Sequence, residues 1–380
     1  RVFRVTVRVT EIYKKIAHIL LPKDYIRFCL SADLCTDVSD ASGTALLDIS
    51  QRTWSETIIN KLEIPFSWLP KLYESKEVCA FVNRKAAEQT GLKIGTPIVA
   101  GAGDQPAQSI GCGVIAPKQM SIAVGTSGVT FSVSPQYKPE LQGKLNTFCH
   151  ALPNQWFYMG VTMCAAGSVK WLKENFAVHK SFAEIDQEAE LIERGAEGLL
   201  FAPYLSGERH PHADSFARGA FVGLTTQHHF SHLARAVLEG VSFNLRENVD
   251  VIRGLGINSE KILISGGAAN SKIWLNILAN IMGVPLYTIN THEGAAFGAA
   301  ILAAVGVKHF SSIENACQNM VKINQIIEPN FEGTKIYQEL YEVYRTLYPT
   351  LKKTFHKLNK KNLEKIFYRL YSIFCIKERI

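Results

Sequence analysis

Three observations predict an α/β protein whose parallel strands are joined by crossover helices. Strand-like and helix-like segments alternate along most of the 380 residues, glycine-containing turns punctuate them, and a strand, a glycine turn and a helix recur twice across residues 261–305. No internal repeat or low-complexity stretch interrupts this alternation.

Each element rests on its local pattern. Residues 98–102 form a short apolar strand that runs through glycine into Asp104, and the residues after Pro106 read as a helix. Residues 120–124 are a second strand; "GTSG" (Gly125, Thr126, Ser127, Gly128) turns it back and "VTFSVS" continues as its hairpin partner. A further strand covers 156–163 and a helix 167–176. Ser231 is expected to cap a long helix reaching about Gly254, in which Leu233, Val237, Val241, Leu245 and Val249 recur every fourth residue and mark the core face. Residues 261–265 form the next strand, "GGAANS" turns into a helix over 272–282, and Gly283 stops it. A strand over 284–289 comes next, then a small-residue helix over 295–305 able to pack closely on a sheet. The segment 311–359 is expected to be helical, with Tyr337, Tyr341, Tyr344 and Tyr348 three or four residues apart, and to close the fold.

Bulk properties narrow the function classes. A chain of 380 residues that is 47% apolar fits two globular domains with real cores. No apolar run approaches the roughly 20 residues of a spanning helix; residues 294–307 come nearest and follow Glu293 directly. There is no signal-peptide pattern, and the first residue is Arg1 rather than Met, as expected of a fragment. The eight cysteines are scattered with no C-x-x-C pair, which predicts reduced thiols in a cytoplasmic protein rather than a disulfide framework or a zinc site. The net charge of +7 resides in the tail: from Lys352 onward nine Lys and Arg face two acids, and the rest carries 32 residues of each sign. A basic tail, not a basic face, sets the charge, so no nucleic-acid or membrane partner is expected.

Few segments carry chemistry. Asp104 stands at the carboxyl end of a glycine-flanked strand, where open α/β sheets hold ligands, although an acid just before Pro106 also suits a helix N-cap. The "GTSG" turn can present backbone N–H groups and the Thr126 and Ser127 hydroxyls to phosphate oxygens, or can simply be a hairpin turn. No G-x-x-x-x-G-K-[ST] loop occurs, and Gly266-Gly267 lacks the G-x-G-x-x-G spacing of a dinucleotide fold. His228, His229 and His232 cluster without a completing carboxylate or cysteine, so they are read as solvated surface, and no metal ligand set is assigned. "SGERHPHADSFARGAFVGL" (206–224) reads as a surface loop between structured regions.

Taken together, ordered motifs make the chain resemble the FGGY family of carbohydrate kinases, and within it the xylulokinases. "GAFVGL" at 219–224, a seven-residue spacer and "HLARAVLE" at 232–239 are similar to the family's C-terminal signature. "LPKDY" (21–25), "TDVSDASGT" (36–44), "AGAGDQPA" (100–107), "VGTSGV" (124–129) and "SGERHPHAD" (206–214) occur in the family's order. The resemblance implies an actin-like ATPase (ribonuclease H-like) fold: two α/β domains with ATP and sugar in the cleft between them. The expected division is 1–117 for the later part of the first domain, 118–359 for the second with its closing helices, and an atypical tail over 360–380.

On the same resemblance Asp104 matches the catalytic base, with Gln105 beside it in the sugar site. Gly125, Thr126, Ser127 and Gly128 match a phosphate-binding turn, and Gly266, Gly267 and Asn270 lie in the segment similar to the adenosine motif. The implied reaction is phosphorylation of D-xylulose by ATP with Mg²⁺, in a chain that acts alone or as a homodimer. Phosphoryl transfer requires mainly positioning, charge neutralisation and one proton acceptor, which this equipment supplies. Two departures stand out: the sequence contains no D-x-G-T phosphate loop, and residues 1–10 are unlike the family. They lead to the expectation of a truncated first domain and little turnover. The alternatives are a gluconate, ribulose or glycerol kinase of the same family, or an inactive nucleotide-binding fragment.

Overall fold

The computed structural model describes residues 13–290 and 294–359. Residues 1–12, which include the start expected to be atypical, and the tail beyond 359 lie outside the described residues. The first segment contains α1 (Pro22–Ser31), β1 (Cys35–Asp37), α2 (Val38–Ala41), β2 (Leu47–Asp48), β3 (Thr53–Trp54) and α3 (Glu56–Lys61). It continues with β4 (Lys71–Tyr73), β5 (Val78–Phe81), α4 (Arg84–Thr90), β6 (Pro97–Val99) and α5 (Asp104–Gly111). These strands form three small pairs, β1 with β4 in parallel and β2–β3 and β5–β6 antiparallel.

A seven-stranded sheet organises the chain from Met120 onward. Its strands are β7 (Met120–Val124), β8 (Gly128–Ser134), β9 (Asn146–Cys149), β10 (Trp156–Thr162), β13 (Ile262–Gly266), β14 (Leu286–Ile289) and β15 (Ile323–Ile327), in the order β15-β14-β13-β7-β8-β10-β9. Only β14, β13 and β7 run parallel. The sheet is mixed: the crossover-linked strands run parallel, and the predicted hairpin turn after β7, with the turn between β9 and β10, returns the chain at once to its neighbour and gives antiparallel ladders.

Helices α6 (Ala166–Phe176) and α7 (Phe182–Glu190) precede a separate antiparallel pair, β11 (Leu200–Ala202) and β12 (Ala220–Val222). The 25-residue α8 (Phe230–Gly254) then crosses under the sheet, burying Val237, Val241, Leu245 and Val249 against Met120, Ile122, Ile262 and Ile264. Its N-cap is His229, whose N–H donates to His232 Nδ1 at 3.3 Å. The expected cap, Ser231, lies inside the helix and donates instead to Glu188 Oε2 at 2.9 Å.

The chain closes with α9 (Lys272–Met282), α10 (Gly294–Gly306), α11 (Ile313–Met320), α12 (Phe331–Tyr344) and a last helix, α13, over 347–359. Two expectations change here. The segment 311–359 is not helical throughout, since β15 interrupts it: three isoleucines in five positions suit a strand, and the edge of β14 supplies the ladder. The small-residue helix α10 packs chiefly on α5, with its end against Val99 of the small pair β5–β6. A Cβ on Gly298 would stand 1.8 Å from Ala107 O and one on Gly111 2.0 Å from Gly294 O, so glycines let the two helix backbones touch. No helix among the described residues is long and apolar enough to cross a membrane.

Candidate active site

The Asp104 turn is fixed by residues far away in sequence. Gly103 is the N-cap of α5 and Asp104 its first helical residue, so the acid does not cap the helix through its side chain. The exposed Asp104 carboxylate instead accepts from Gln105, from its N–H at 2.8 Å and its Nε2 at 3.3 Å. Gly103 N–H donates to Ser39 Oγ at 3.1 Å, and the Arg27 guanidinium donates to Ala100 O. The carboxylate is thus held on a rigid corner at a positively polarised helix end.

Beneath that corner lies a charged cluster to which sequence reasoning assigns no role. Lys23 Nζ meets Asp37 Oδ2 at 2.6 Å, Asp24 Oδ1 at 2.7 Å and Asp40 Oδ2 at 3.5 Å, and Arg27 pairs with Asp24. Burial works against the Lys23 ammonium, but the Asp37 and Asp24 carboxylates outweigh it and raise its pKa above the ordinary value. Burial pushes the Asp40 carboxyl up to about 6; Asp37 and Asp24 add to the rise while Lys23 opposes it. Asp37 Oδ1 caps α2 by accepting from Ser39 N–H at 2.9 Å and Asp40 N–H at 3.1 Å. The "LPKDY" and "TDVSDASGT" motifs hold the signal, because acids and a lysine that converge must neutralise one another when buried.

The glycine turns converge on one end of the large sheet. Gly125–Gly128 joins β7 to β8; Ala165 N–H and Gly167 N–H donate to Thr126 O at 2.9 and 3.1 Å, docking the start of α6 on the turn. Gly266 pairs with Val124 in the parallel register, so the Gly266-Gly267 turn emerges beside Gly125. Gly266 has φ +80°, and a Cβ there would stand 2.6 Å from Val124 O, which excludes any other residue.

A cavity of about 430 Å³ opens beside these turns, lined by Thr126, Gly167, Lys170, Asp186, Gly267, Asn270 and Trp274 among others. Of the anticipated nucleotide residues, Thr126, Gly267 and Asn270 line it, whereas Gly125, Ser127, Gly128 and Gly266 shape the adjoining turns without lining it. Asp104 and Gln105 do not border this cavity. They are joined to it indirectly, since Gln108 on α5 donates to Ser265 Oγ at 3.0 Å, one residue before Gly266. Lys170, Asp186 and Trp274 escape sequence reasoning; they lie on three helices, and only packing brings them together. The Asp186 carboxyl is raised by burial, with Glu190 adding and Ser271 opposing.

Segment 206–224 is more than a surface loop. Glu208 is buried, and Oε1 accepts from Met163 N–H at 2.9 Å and Arg209 N–H at 2.7 Å while Oε2 accepts from Asn244 at 3.0 Å. Burial lifts its pKa to about 8. Asp214 accepts from Tyr348 at 2.9 Å and His356 at 2.7 Å, tying the loop to α13. Of the clustered histidines, His232 is buried and its ring packs 4.3 Å from that of His229, which corrects the reading of all three as solvated. Among the described residues no group of three or more His, Cys, Asp or Glu could hold a metal ion.

Glycine turns at the ends of parallel strands, a cavity beside them and an exposed carboxylate on a fixed helix start make up the candidate site of an α/β enzyme. The profile described as "FGGY family of carbohydrate kinases, C-terminal domain" matches residues 120–307, and that of the family's N-terminal domain matches residues 5–111. The chain belongs to the FGGY family of carbohydrate kinases. It is 36% identical over 342 residues to the xylulose kinase of Staphylococcus epidermidis, covering 90% of this chain and 69% of that protein. The ligand-bound xylulose kinase structure from Lactobacillus acidophilus superposes with a TM-score of 0.90 at 26% identity, over 94% of this chain and 72% of the other. A gluconate kinase structure from the same organism gives the same TM-score, identity and coverage. The fold is accordingly the actin-like ATPase fold of sugar kinases, and kinases of this family take their phosphoryl group from ATP.

Proposed function

We propose that the chain phosphorylates D-xylulose to D-xylulose 5-phosphate with ATP, Asp104 acting as the general base. The observation that carries this reading is the exposed Asp104 carboxylate on a corner clamped by Ser39 and Arg27, linked through Gln108 and Ser265 to the glycine turns beside the cavity. An Asp104 oxygen takes the proton of the C5 hydroxyl as that oxygen attacks the γ-phosphorus and the bond to the leaving ADP oxygen breaks. Gln105 orients the base through its two hydrogen bonds and stands beside it in the sugar site. Gly125, Thr126, Ser127 and Gly128 contact the phosphates through backbone N–H and hydroxyl groups. Gly267 and Asn270, which line the cavity, hold the adenosine side of the nucleotide, with Gly266 shaping the turn beside them.

Mg²⁺ would arrive with ATP and neutralise phosphate charge there. Charge favours a neutral ketose over gluconate. Asp24, Asp37 and Asp40 outnumber Lys23 and Arg27 beside the Asp104 corner, and a sugar carboxylate would meet that surplus.

Sugar-dependent ADP release with D-xylulose, D-ribulose, D-gluconate and glycerol, beside calorimetric ADP binding, tests the reading. Turnover strongest with D-xylulose supports it, and preference for another sugar overturns the substrate. The second reading is a nucleotide-binding chain without sugar phosphorylation. ADP binding without turnover on any of the four sugars would establish that one instead.

A further inference from the structure

Two cysteines from strands of different pairs meet beside the charged cluster. The Cys35 thiol, at the start of β1, donates to Cys79 Sγ at 3.0 Å. Cys35 is buried and Cys79, on β5, is half-buried, so Cys79 lies on the more exposed side of the pair. The ladder between β5 and β6 explains how Cys79 comes to point there. Val78 pairs with Val99 and Ala80 with Ile98, which leaves Cys79 as the extra residue of a β-bulge, and a bulge re-aims its side chain.

The electrostatics single out the same pair. The hydrogen bond with Cys79 leads in lowering the Cys35 pKa to about 7; burial opposes it and the Arg27 guanidinium assists. Arg27 also donates to Cys35 O at 2.7 Å. Cys79 moves the opposite way, raised by the hydrogen bond with Cys35 and by burial, so the thiolate of the pair resides on Cys35; burial also raises Cys112 to about 11 and Cys317 to about 12.

We propose that Cys35 and Cys79 form a redox modification site, a dithiol that closes to a disulfide when a hydroperoxide reaches it. Ionisation of the pair leaves one thiolate stabilised by the remaining S–H. The Cys35 thiolate, held by the Cys79 S–H, attacks a peroxide oxygen, the O–O bond breaks, and a sulfenic acid forms on Cys35 as the departing hydroxide takes up the proton released on ionisation and leaves as water. Cys79 Sγ then attacks that sulfur, its S–O bond breaks, and the displaced hydroxide takes up the last thiol proton to leave as a second water. Two thiols are oxidised by two electrons and one hydrogen peroxide is reduced to two waters.

The bridge would tie β1, which leads into Asp37, Ser39 and Asp40, to β5, whose partner β6 leads into the Asp104 corner. The site stands independently of the sugar assignment.

The experiment is a non-reducing peptide map of the native 380-residue protein, alkylated before and after brief treatment with hydrogen peroxide. The expected result is a linked pair of peptides carrying Cys35 and Cys79, a loss of two titratable thiols, and full recovery with dithiothreitol. The Cys29→Ser variant should give the same map, because Cys29 is exposed and takes no part. Cys79→Ser should lose the linked pair and keep Cys35 alkylatable only after unfolding. The proposal is overturned if both cysteines are recovered alkylated after oxidation, if either is found as sulfinic acid without a linked product, or if Cys29 is the partner joined to Cys79.

Discussion

Gln108 and Ser265, 157 residues apart in the chain, share a hydrogen bond of 3.0 Å. The first lies one turn into the helix that begins at Asp104, and the second precedes the glycine pair at the end of β13. This contact is a direct polar link between the corner that presents the base and the turns beside the cavity. Replacing Gln108 by Ala should remove about 1 kcal/mol of stability and lower turnover several-fold, with ADP affinity unchanged. Thermal melts and calorimetry check both parts; a loss of ADP binding would show that the link serves the cavity alone.

Asp104→Asn retains shape and the helix start but removes the proton acceptor. Sugar phosphorylation should fall by about 10²- to 10⁴-fold, while ADP binds as in the wild type. Retained phosphorylation in the same assay would remove Asp104 from the base role.

Gly298→Ala places a methyl group where Ala107 O already stands, 1.8 Å from the new Cβ. The helices α5 and α10 must then separate, at a cost of about 1–3 kcal/mol. A lowered melting temperature checks this, and an unchanged one would mean that the two helices are free to slide. Because α5 carries Asp104, activity should suffer more than ADP binding.

Glu208 predicts a pH dependence with a definite sign. Its carboxyl has an ordinary value of 4.5 when free and is raised to about 8 by burial in the fold. Between those values the unfolded chain binds fewer protons than the folded one, so stability falls as pH rises through this window. The limiting slope for one proton is about 1.4 kcal/mol per pH unit. In Glu208→Gln this contribution disappears. Whatever the constant offset from the altered contact with Asn244, the stability of the variant relative to wild type should improve steadily from pH 5 to pH 8. Urea titrations across that range measure it, and parallel profiles would show that Glu208 ionises freely.

Part of the site is legible in the sequence because its physics is local. The "GTSG" turn announces a hairpin by its spacing, and Met120–Val124 and Lys272–Met282 fall where alternation and helical period put them. Asp104 stands out as an acid on a glycine-flanked corner, although its helix is capped by Gly103. Lys23 and Asp37 are legible only as letters of two motifs, since nothing local says that a lysine and an acid fourteen positions on will neutralise each other in a buried cluster. Asp186 and Trp274 give no signal, being ordinary residues of amphipathic helices until packing sets them around one cavity.

The residue order alone is enough for the element types, the glycine-defined turns, the carboxylate at the head of its helix and the family, because backbone geometry and side-chain periodicity act over a few residues. Long-range packing was needed to place β15 on the open edge of β14, to lay α10 backbone to backbone on α5, to bury His232 and to turn Cys79 toward Cys35 through a bulge. Those outcomes depend on hydrogen-bond ladders, close packing and desolvation between residues far apart in the chain, and each partner's own sequence is silent about the other.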